Sequence, residues 1–438
     1  MRTKDTKASV GYADAGEMKM SGSFEPESGE PSKSSGRFLV VAKGLPYPPG
    51  DGAAIRTWGV VRALAANGHT VDLVCFGQPE DAELARHAVL DVCASVAVLP
   101  SPTAPLSGAN VHWRRVRGLG SAIPYGVGRF SSPAMQTLIR ERLRTSTFDA
   151  IFCDNPYLFV NLPVPTTVPV ILNSHNVENL LLKRYVQVER NPLKRAYGLL
   201  EWRKMQRWER HVASRSALVM VCSEHDRSMM AQMCPGTLLE VVPNVIDVEK
   251  HDPALAEDGQ TILYTGAMDW FPNQDAVSHF VSRIWPEVRR LVPDATFRVA
   301  GRGASGELRR RFHSVSGVQF EGTVPDMRAE LARAAVCVVP LRIASGTRLK
   351  ILEAAALTKA IVSTRVGAEG LDFVDGEEIL LADAPRTFAR AVVELVADRG
   401  RRRSLGLAAR QRVQAQYGFP QLRAAVGRAL AAFNGGRR

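Results

Sequence analysis

No apolar stretch in this 438-residue sequence approaches the eighteen or so residues that a membrane-crossing helix needs, and the N-terminus carries no secretory hydrophobic segment. The expected location is therefore the cytoplasm. Cysteine is sparse and scattered: Cys75, Cys93, Cys153, Cys222, Cys234 and Cys337 form no C-x-x-C pair, and Cys75, Cys153, Cys222 and Cys337 lie inside apolar runs. That excludes a disulfide framework or a thiolate zinc site and leaves buried, reduced thiols. The histidines show no H-E-x-x-H spacing and no D-x-D cluster occurs, so no metal is implied.

What is present is the composition of an ordinary soluble protein, 45% hydrophobic and 23% charged, in a chain too long for one core and comfortable for two. The formal net charge is +12, but residues 1–36 carry five basic and six acidic side chains, so the excess belongs to the folded body. Residues 183–215 hold ten Lys or Arg against three Glu, interleaved with Trp202 and Trp208. Such a segment can lie on an anionic membrane surface, or be a solvated helix face with both tryptophans turned to the core. No nucleic-acid recognition module accompanies the charge, and no nucleic acid is expected as a partner.

Taken in order, residues 1–36 are rich in Ser, Gly, Glu and Lys without apolar period, and read as a disordered tail. A strand is expected over 38–42, then a Pro/Gly loop containing Gly50 and Gly52, a helix over 53–66 stopped by Asn67-Gly68, and a strand over 71–76. Further strands are expected over 96–99, 150–153, 168–172 and 217–222, with a long helical region over 178–214. Alternating strands and helices specify a parallel, doubly wound sheet, whose ligands bind beyond the C-terminal strand ends. His175, in Asn173-Ser174-His175-Asn176-Val177-Glu178, has that address. Residues 249–260 read as a linker. The second half repeats the plan: strands at 261–266, 296–300, 318–320 and 336–340, several ending in glycine (Gly266, Gly301 to Gly303, Gly322), with a helix to about residue 291.

From residue 338 to 371 a strand breaks at Ala344-Ser345-Gly346 and apolar residues resume at helical spacing. Ser345 or Gly346 fits the helix cap, which would open free N–H groups as an anion site. Gly346, Lys350 and Glu353 at i, i+4 and i+7 then share one face over ~10 Å, suited to a phosphate and a ribose diol. The plain alternative is an amphipathic helix with a surface Lys350–Glu353 pair.

The runs P-P-G-D-G-A-A-I-R, S-H-N-V-E, V-P-N-V-I-D, Y-T-G, V-A-G-R-G, F-E-G-T-V, G-T-R-L-K-I-L-E-A-A-A and G-A-E-G-L follow one another along the chain. In their order and spacing they resemble the family 4, or group 1, glycosyltransferases, over nearly all of residues 37–438. The resemblance implies an α/β protein of the GT-B fold. Residues 37–247 would form an N-terminal Rossmann-like domain on the acceptor side, 248–416 a nucleotide-sugar-binding Rossmann-like domain, and 417–438 a helix crossing back onto the first. It implies a retaining transferase, without metal or cofactor, that moves a sugar from a nucleotide-diphosphate sugar to a glycan or lipid-linked acceptor, with possible peripheral contact with an anionic membrane.

By position, the resemblance assigns Glu353 to the ribose hydroxyls, and the Gly346 and Thr347 amides with Arg348 and Lys350 to the diphosphate. Gly301, Arg302 and Gly303, with Phe320 to Gly322, would line base and ribose, and Gly266 ends the strand beside them. Gly52 would approach the donor from the other domain, and His175 would touch its sugar near the reacting centre. Two places depart from the family pattern. Ser345 stands where the first of two glutamates eight positions apart is usual, and Ala267 and Asn273 stand near positions often held by Arg and Lys. Phosphate neutralisation then falls to Arg348 and Lys350, joined by Arg342 or Arg56. Two other functions fit parts of the sequence: a GT-B sugar-nucleotide epimerase, which needs a carboxylate pair that is not evident, and a non-enzymatic anion or membrane binder drawing on the net charge.

Overall fold

The computed structural model describes residues 35–78, 80, 83, 88–103, 118–251, 257–303 and 306–436. All but the last two residues of the expected tail, and the middle of the expected linker, lie outside the described residues.

Two parallel sheets carry the fold. The first contains β1 (Arg37–Ala42), β2 (Thr70–Gly77), β3 (Ser95–Pro100), β4 (Ala150–Cys153), β5 (Val170–Asn173), β6 (Leu218–Val221) and β7 (Leu239–Val241), in the order β3-β2-β1-β4-β5-β6-β7. The second contains β8 (Thr261–Thr265), β9 (Thr296–Ala300), β10 (Val318–Gly322), β11 (Val336–Val339), β12 (Ala360–Ser363) and β13 (Leu380–Leu381), in the order β10-β9-β8-β11-β12-β13. Each order reverses direction once, between β1 and β4 and between β8 and β11, which opens a crevice at those strand ends.

The unbroken apolar runs of the strands follow from burial on both faces. In β1, Phe38, Val40 and Ala42 join one core cluster while Leu39 and Val41 join the other. The helix Gly52–Ala66 starts as expected: Asp51 accepts from the Ala54 amide at 3.0 Å. It stops at Asn67 before Gly68, whose φ of +84° is left-handed. All six cysteines are buried and unpaired.

One expected helical region breaks at proline. The region 178–214 is two helices, Glu178–Val188 and Pro192–Ala213, because Pro192 supplies no amide to continue the first and Asn191 caps the second through Leu193 and Lys194. The helix expected to run to about residue 291 does so without a gap, through Phe271–His279, a π-helical turn Phe280–Ile284 and Trp285–Leu291, the turn lying just before Pro286. On Pro192–Ala213 Trp208 turns inward: it donates to the Pro156 carbonyl at 2.9 Å and stacks on His211. Among the described residues, no helix is long and apolar enough to cross a membrane.

The chain passes between the sheets twice, and the passages touch, since the Ile246 amide donates to the Tyr417 carbonyl at 2.8 Å. After Tyr417 the helix Phe419–Gly435 returns to the first sheet, and Leu422, Val426, Leu430 and Phe433 complete its core. Gly59 permits the close crossing: a Cβ there would lie 2.9 Å from Leu422.

Candidate active site at the facing strand ends

Where β4 and β5 end, four buried polar side chains meet. The Asp154 carboxylate accepts from Thr57 Oγ1 at 2.7 Å and Asn173 Nδ2 at 2.9 Å, and lies 3.1 Å from His175 Nε2. Asn173 Oδ1 in turn accepts from Arg56 Nε at 3.1 Å and Nη2 at 2.7 Å. The remaining Arg56 nitrogen reaches the Val242 carbonyl at 2.8 Å and Asn244 Oδ1 at 3.0 Å, and Asn244 Nδ2 donates to Thr347 Oγ1 at 2.7 Å. A continuous hydrogen-bonded chain thus runs from Asp154 to a loop of the second half. Arg56 is consumed by it, contrary to the expectation that this guanidinium is spare for phosphate. Arg342 is engaged too, paired with Asp275 at 2.5 and 3.0 Å.

The loop after β11 departs most from expectation. The helix begins at Leu349 with Arg348 in the cap position, three residues beyond Ser345. Gly346 has a φ of +70°, which a helix cannot use. Gly346, Lys350 and Glu353 therefore do not share a helix face; only Lys350 and Glu353 do. The loop is instead wedged against the first half. Ser345 Oγ accepts from the Val177 amide at 2.9 Å, and a Cβ on Gly346 would lie 2.4 Å from the His175 carbonyl. Arg348 folds back onto its own loop, donating to the carbonyls of Ser345 at 2.7 Å, Glu369 at 2.6 Å and Gly346. Burial lowers its pKa to about 10, so it stays charged at neutral pH, and its Nε alone has no partner among the described residues.

Lys350 points into the second sheet's strand ends. Its Nζ donates to the Thr265 carbonyl at 2.5 Å and Asn273 Oδ1 at 3.2 Å, and stands 4.1 Å from the Tyr264 ring centroid. Burial pushes its pKa down to about 7. Asn273 is held by Tyr264 Oη at 2.7 Å, so this departure from the family pattern serves to position Lys350. Glu353 is partly withdrawn from water, which raises its pKa against the pull of Lys350, and its carboxylate receives no hydrogen bond from any described residue.

Three strand-end glycines form a ladder beside Lys350: the Gly266 amide donates to the Ala300 carbonyl at 2.9 Å and the Gly301 amide to the Gly322 carbonyl at 2.8 Å. A Cβ on Gly301 would lie 2.0 Å from the Gly266 oxygen, so glycine is required there for backbone contact. Gly303 packs against Asp269. Across the crevice, Gly52 comes within 3.1 Å, as a virtual Cβ, of Leu349, and Asp51 pairs with Arg302 at 3.3 Å.

The strand-end rule that singled out His175 also applies to Asp154, which directly follows β4, but an Asp after Cys carries no further signal. Asn244 was visible only inside V-P-N-V-I-D. Arg184, bidentate to Glu369 at 2.7 Å and bonded to the Ala344 carbonyl at 2.6 Å, had none. Among the described residues, no three His, Cys, Asp or Glu side chains group to hold a metal ion.

Two family models match this chain: Glycosyltransferase Family 4 over residues 50–250 and Glycosyl transferases group 1 over residues 259–398. An uncharacterized 44.6 kDa protein from the cps region of Klebsiella pneumoniae is 21% identical over 373 residues, 82% of this chain and 90% of that protein. Among solved structures, sucrose-phosphate synthase from Thermosynechococcus elongatus aligns with a TM-score of 0.66 at 18% identity, covering 91% of this chain and all of that one. Anabaena HepE in complex with UDP and glucose aligns with a TM-score of 0.63 at 12% identity, covering 90% of this chain and 99% of that one. At these identities the likeness is one of fold.

Proposed function

The chain belongs to the family 4, group 1 glycosyltransferases, and on that premise we propose that it moves a sugar, with retention and without a metal, from a nucleoside-diphosphate sugar to a glycan or lipid-linked acceptor. The observation that carries the reading is the pair on the helix Leu349–Ala356: a half-buried ammonium at the glycine strand ends and, one turn on, a half-buried carboxylate that receives no hydrogen bond from a described residue. A carboxylate that is partly desolvated yet still reached by solvent keeps acceptor sites free, and a ribose diol supplies two donors. The ammonium suits the charge that grows on the β-phosphate as the anomeric C–O bond breaks. The acceptor oxygen forms the new bond and its proton passes to the departing phosphate. No protein nucleophile is assigned.

Polysaccharide or glycoconjugate assembly is supported by the relative from a cps region. A lipid-linked acceptor is compatible with Leu193, 81% exposed at the start of the basic helix Pro192–Ala213 beside Lys194 and Arg195. Sedimentation with phosphatidylglycerol vesicles at low salt is expected, and is expected to be lost in Leu193→Asp; equal recovery of both in the supernatant rejects this contact.

A thermal-shift panel of UDP, GDP, ADP and TDP sugars finds the donor, because a ligand of the folded state alone raises its melting temperature. With that donor, Glu353→Ala and Lys350→Ala are expected to lose roughly 3 kcal/mol of barrier lowering, about a hundredfold in turnover, while folding normally. Near wild-type turnover in both rejects the site. Activity that survives EDTA, and a product whose anomeric configuration matches the donor's, test the two finer claims. An inverted product would instead make His175, held by Asp154, the acceptor's base.

A further inference from the structure

Asp154 has no part in the retaining transfer proposed above, yet it is 2% exposed and His175 is its only ion-pairing partner among the described residues. The groups around it fix each other's orientation. Arg56 places two N–H groups on Asn173 Oδ1, so the Asn173 amide nitrogen must face Asp154, where it donates at 2.9 Å. That nitrogen also stands 3.3 Å from His175 Nε2; it cannot accept from Nε2, and its second N–H could donate there only to a bare Nε2, in a longer, neutral contact than the Asp154 carboxylate's. The proton question on Nε2 is decided by Asp154 Oδ1, 3.1 Å away. An unprotonated Nε2 would set its lone pair against those of a carboxylate; a protonated one donates to it. Nδ1 is the nitrogen left over, and no described residue bonds it.

We propose that Asp154 is a positioning residue for the transfer reaction: it holds His175 as the Nε2–H tautomer, so that Nδ1 is the hydrogen-bond acceptor offered to a hydroxyl of the donor sugar. The sugar contact rests on the transferase reading; the tautomer does not. Thr57, the third group on Asp154, anchors the carboxylate to the helix Gly52–Ala66, whose first residue faces Leu349 across the crevice.

Long-range nitrogen–proton NMR of the full chain with 15N-labelled histidine, at a pH where the ring is neutral, reads the tautomer directly. The His175 signals, assigned with His175→Ala, are expected to show protonated Nε2 and bare Nδ1. Asp154→Asn, which places an amide beside Nε2, is expected to populate the Nδ1–H form. In turnover, Asp154→Asn is expected to lower kcat/KM for the donor at least about tenfold in the wild-type background but less than about twofold in His175→Ala, because its effect travels through the imidazole. An Nδ1–H tautomer in the wild type overturns the proposal, and this holds even if Asp154→Asn fails to fold. So does an undiminished loss in the His175→Ala background, which would make Asp154 merely structural. A wild type with no transfer to any acceptor refutes the transferase reading instead, leaving the tautomer result intact.

Discussion

The ammonium of Lys350 sits against Tyr264 and two neutral oxygens, and burial lowers its pKa to about 7, with Glu353 opposing the shift and Arg348 adding to it. A lysine in the unfolded chain titrates near ~10.4. Between those values the unfolded state binds the extra proton, so this group's contribution to stability rises with pH from about 7 upward and is least below it. Ligand binding runs the other way. A diphosphate beside Nζ favours the charged form, so at pH 8 donor binding is expected to take up close to one proton, and affinity to fall as pH rises above 7. Calorimetry in buffers of different ionisation heat measures the uptake, which Lys350→Met is expected to abolish; an unchanged uptake in that variant places the titration elsewhere. The spacing of Lys350 and Glu353 is legible in the sequence. The inward turn of Arg348 onto three carbonyls is not, because a guanidinium looks equally suited to phosphate until the loop around it is seen.

Among the elements, the helix Glu178–Val188 begins at Val177, which offers no side-chain cap. Glu209, from the next helix, replaces it by accepting from the Glu178 and Asn179 amides and from Asn179 Nδ2, each at 2.7 Å. Burial, together with the nearby Glu178 carboxylate, pushes Glu209 up to about 8. A raised carboxyl stabilises fully below its unfolded value of ~4.3 and loses that contribution as pH climbs through the folded value. Glu209→Gln is therefore expected to be less stable than wild type by about 1–2 kcal/mol at pH 5, with the gap narrowing toward pH 8. Urea unfolding at both pH values checks this, and a gap that does not change with pH contradicts it. The same helix start carries Val177, whose amide bonds Ser345, so the cap also steadies a contact between the halves. The strands follow from local pattern; the break before Pro192, which the expected helical region over 178–214 ran through, has its signal in the proline itself. This cap does not, since its two partners are about thirty residues apart and only packing brings them together.

Across the whole molecule, the halves are joined by a loop-to-loop seam of polar contacts. Arg184 grips Glu369 with both terminal nitrogens and reaches the Ala344 carbonyl, Ser345 bonds Val177, and Thr347 bonds Asn244. Arg184→Met leaves Glu369 near His225 but removes both bonds to that carboxylate and the bond to the Ala344 carbonyl, at a cost of roughly 2 kcal/mol. The variant is expected to have a larger radius of gyration by small-angle scattering, restored by the donor; a wild-type profile would mean the other contacts suffice. By itself the sequence determined the class of fold and the order of its parts, because two-sided burial forces apolar strands and glycine ends strands that must approach closely. It also supplied Lys350 and Glu353 as neighbours on one helix, since their spacing is local. Only the tertiary structure decided that this helix starts at Leu349, that Ser345 and Gly346 are spent on the opposite half, that Arg56 is bound to neutral oxygens, and that Asp154 faces His175. Each depends on a contact between distant segments, and no local period in a sequence records where those segments meet.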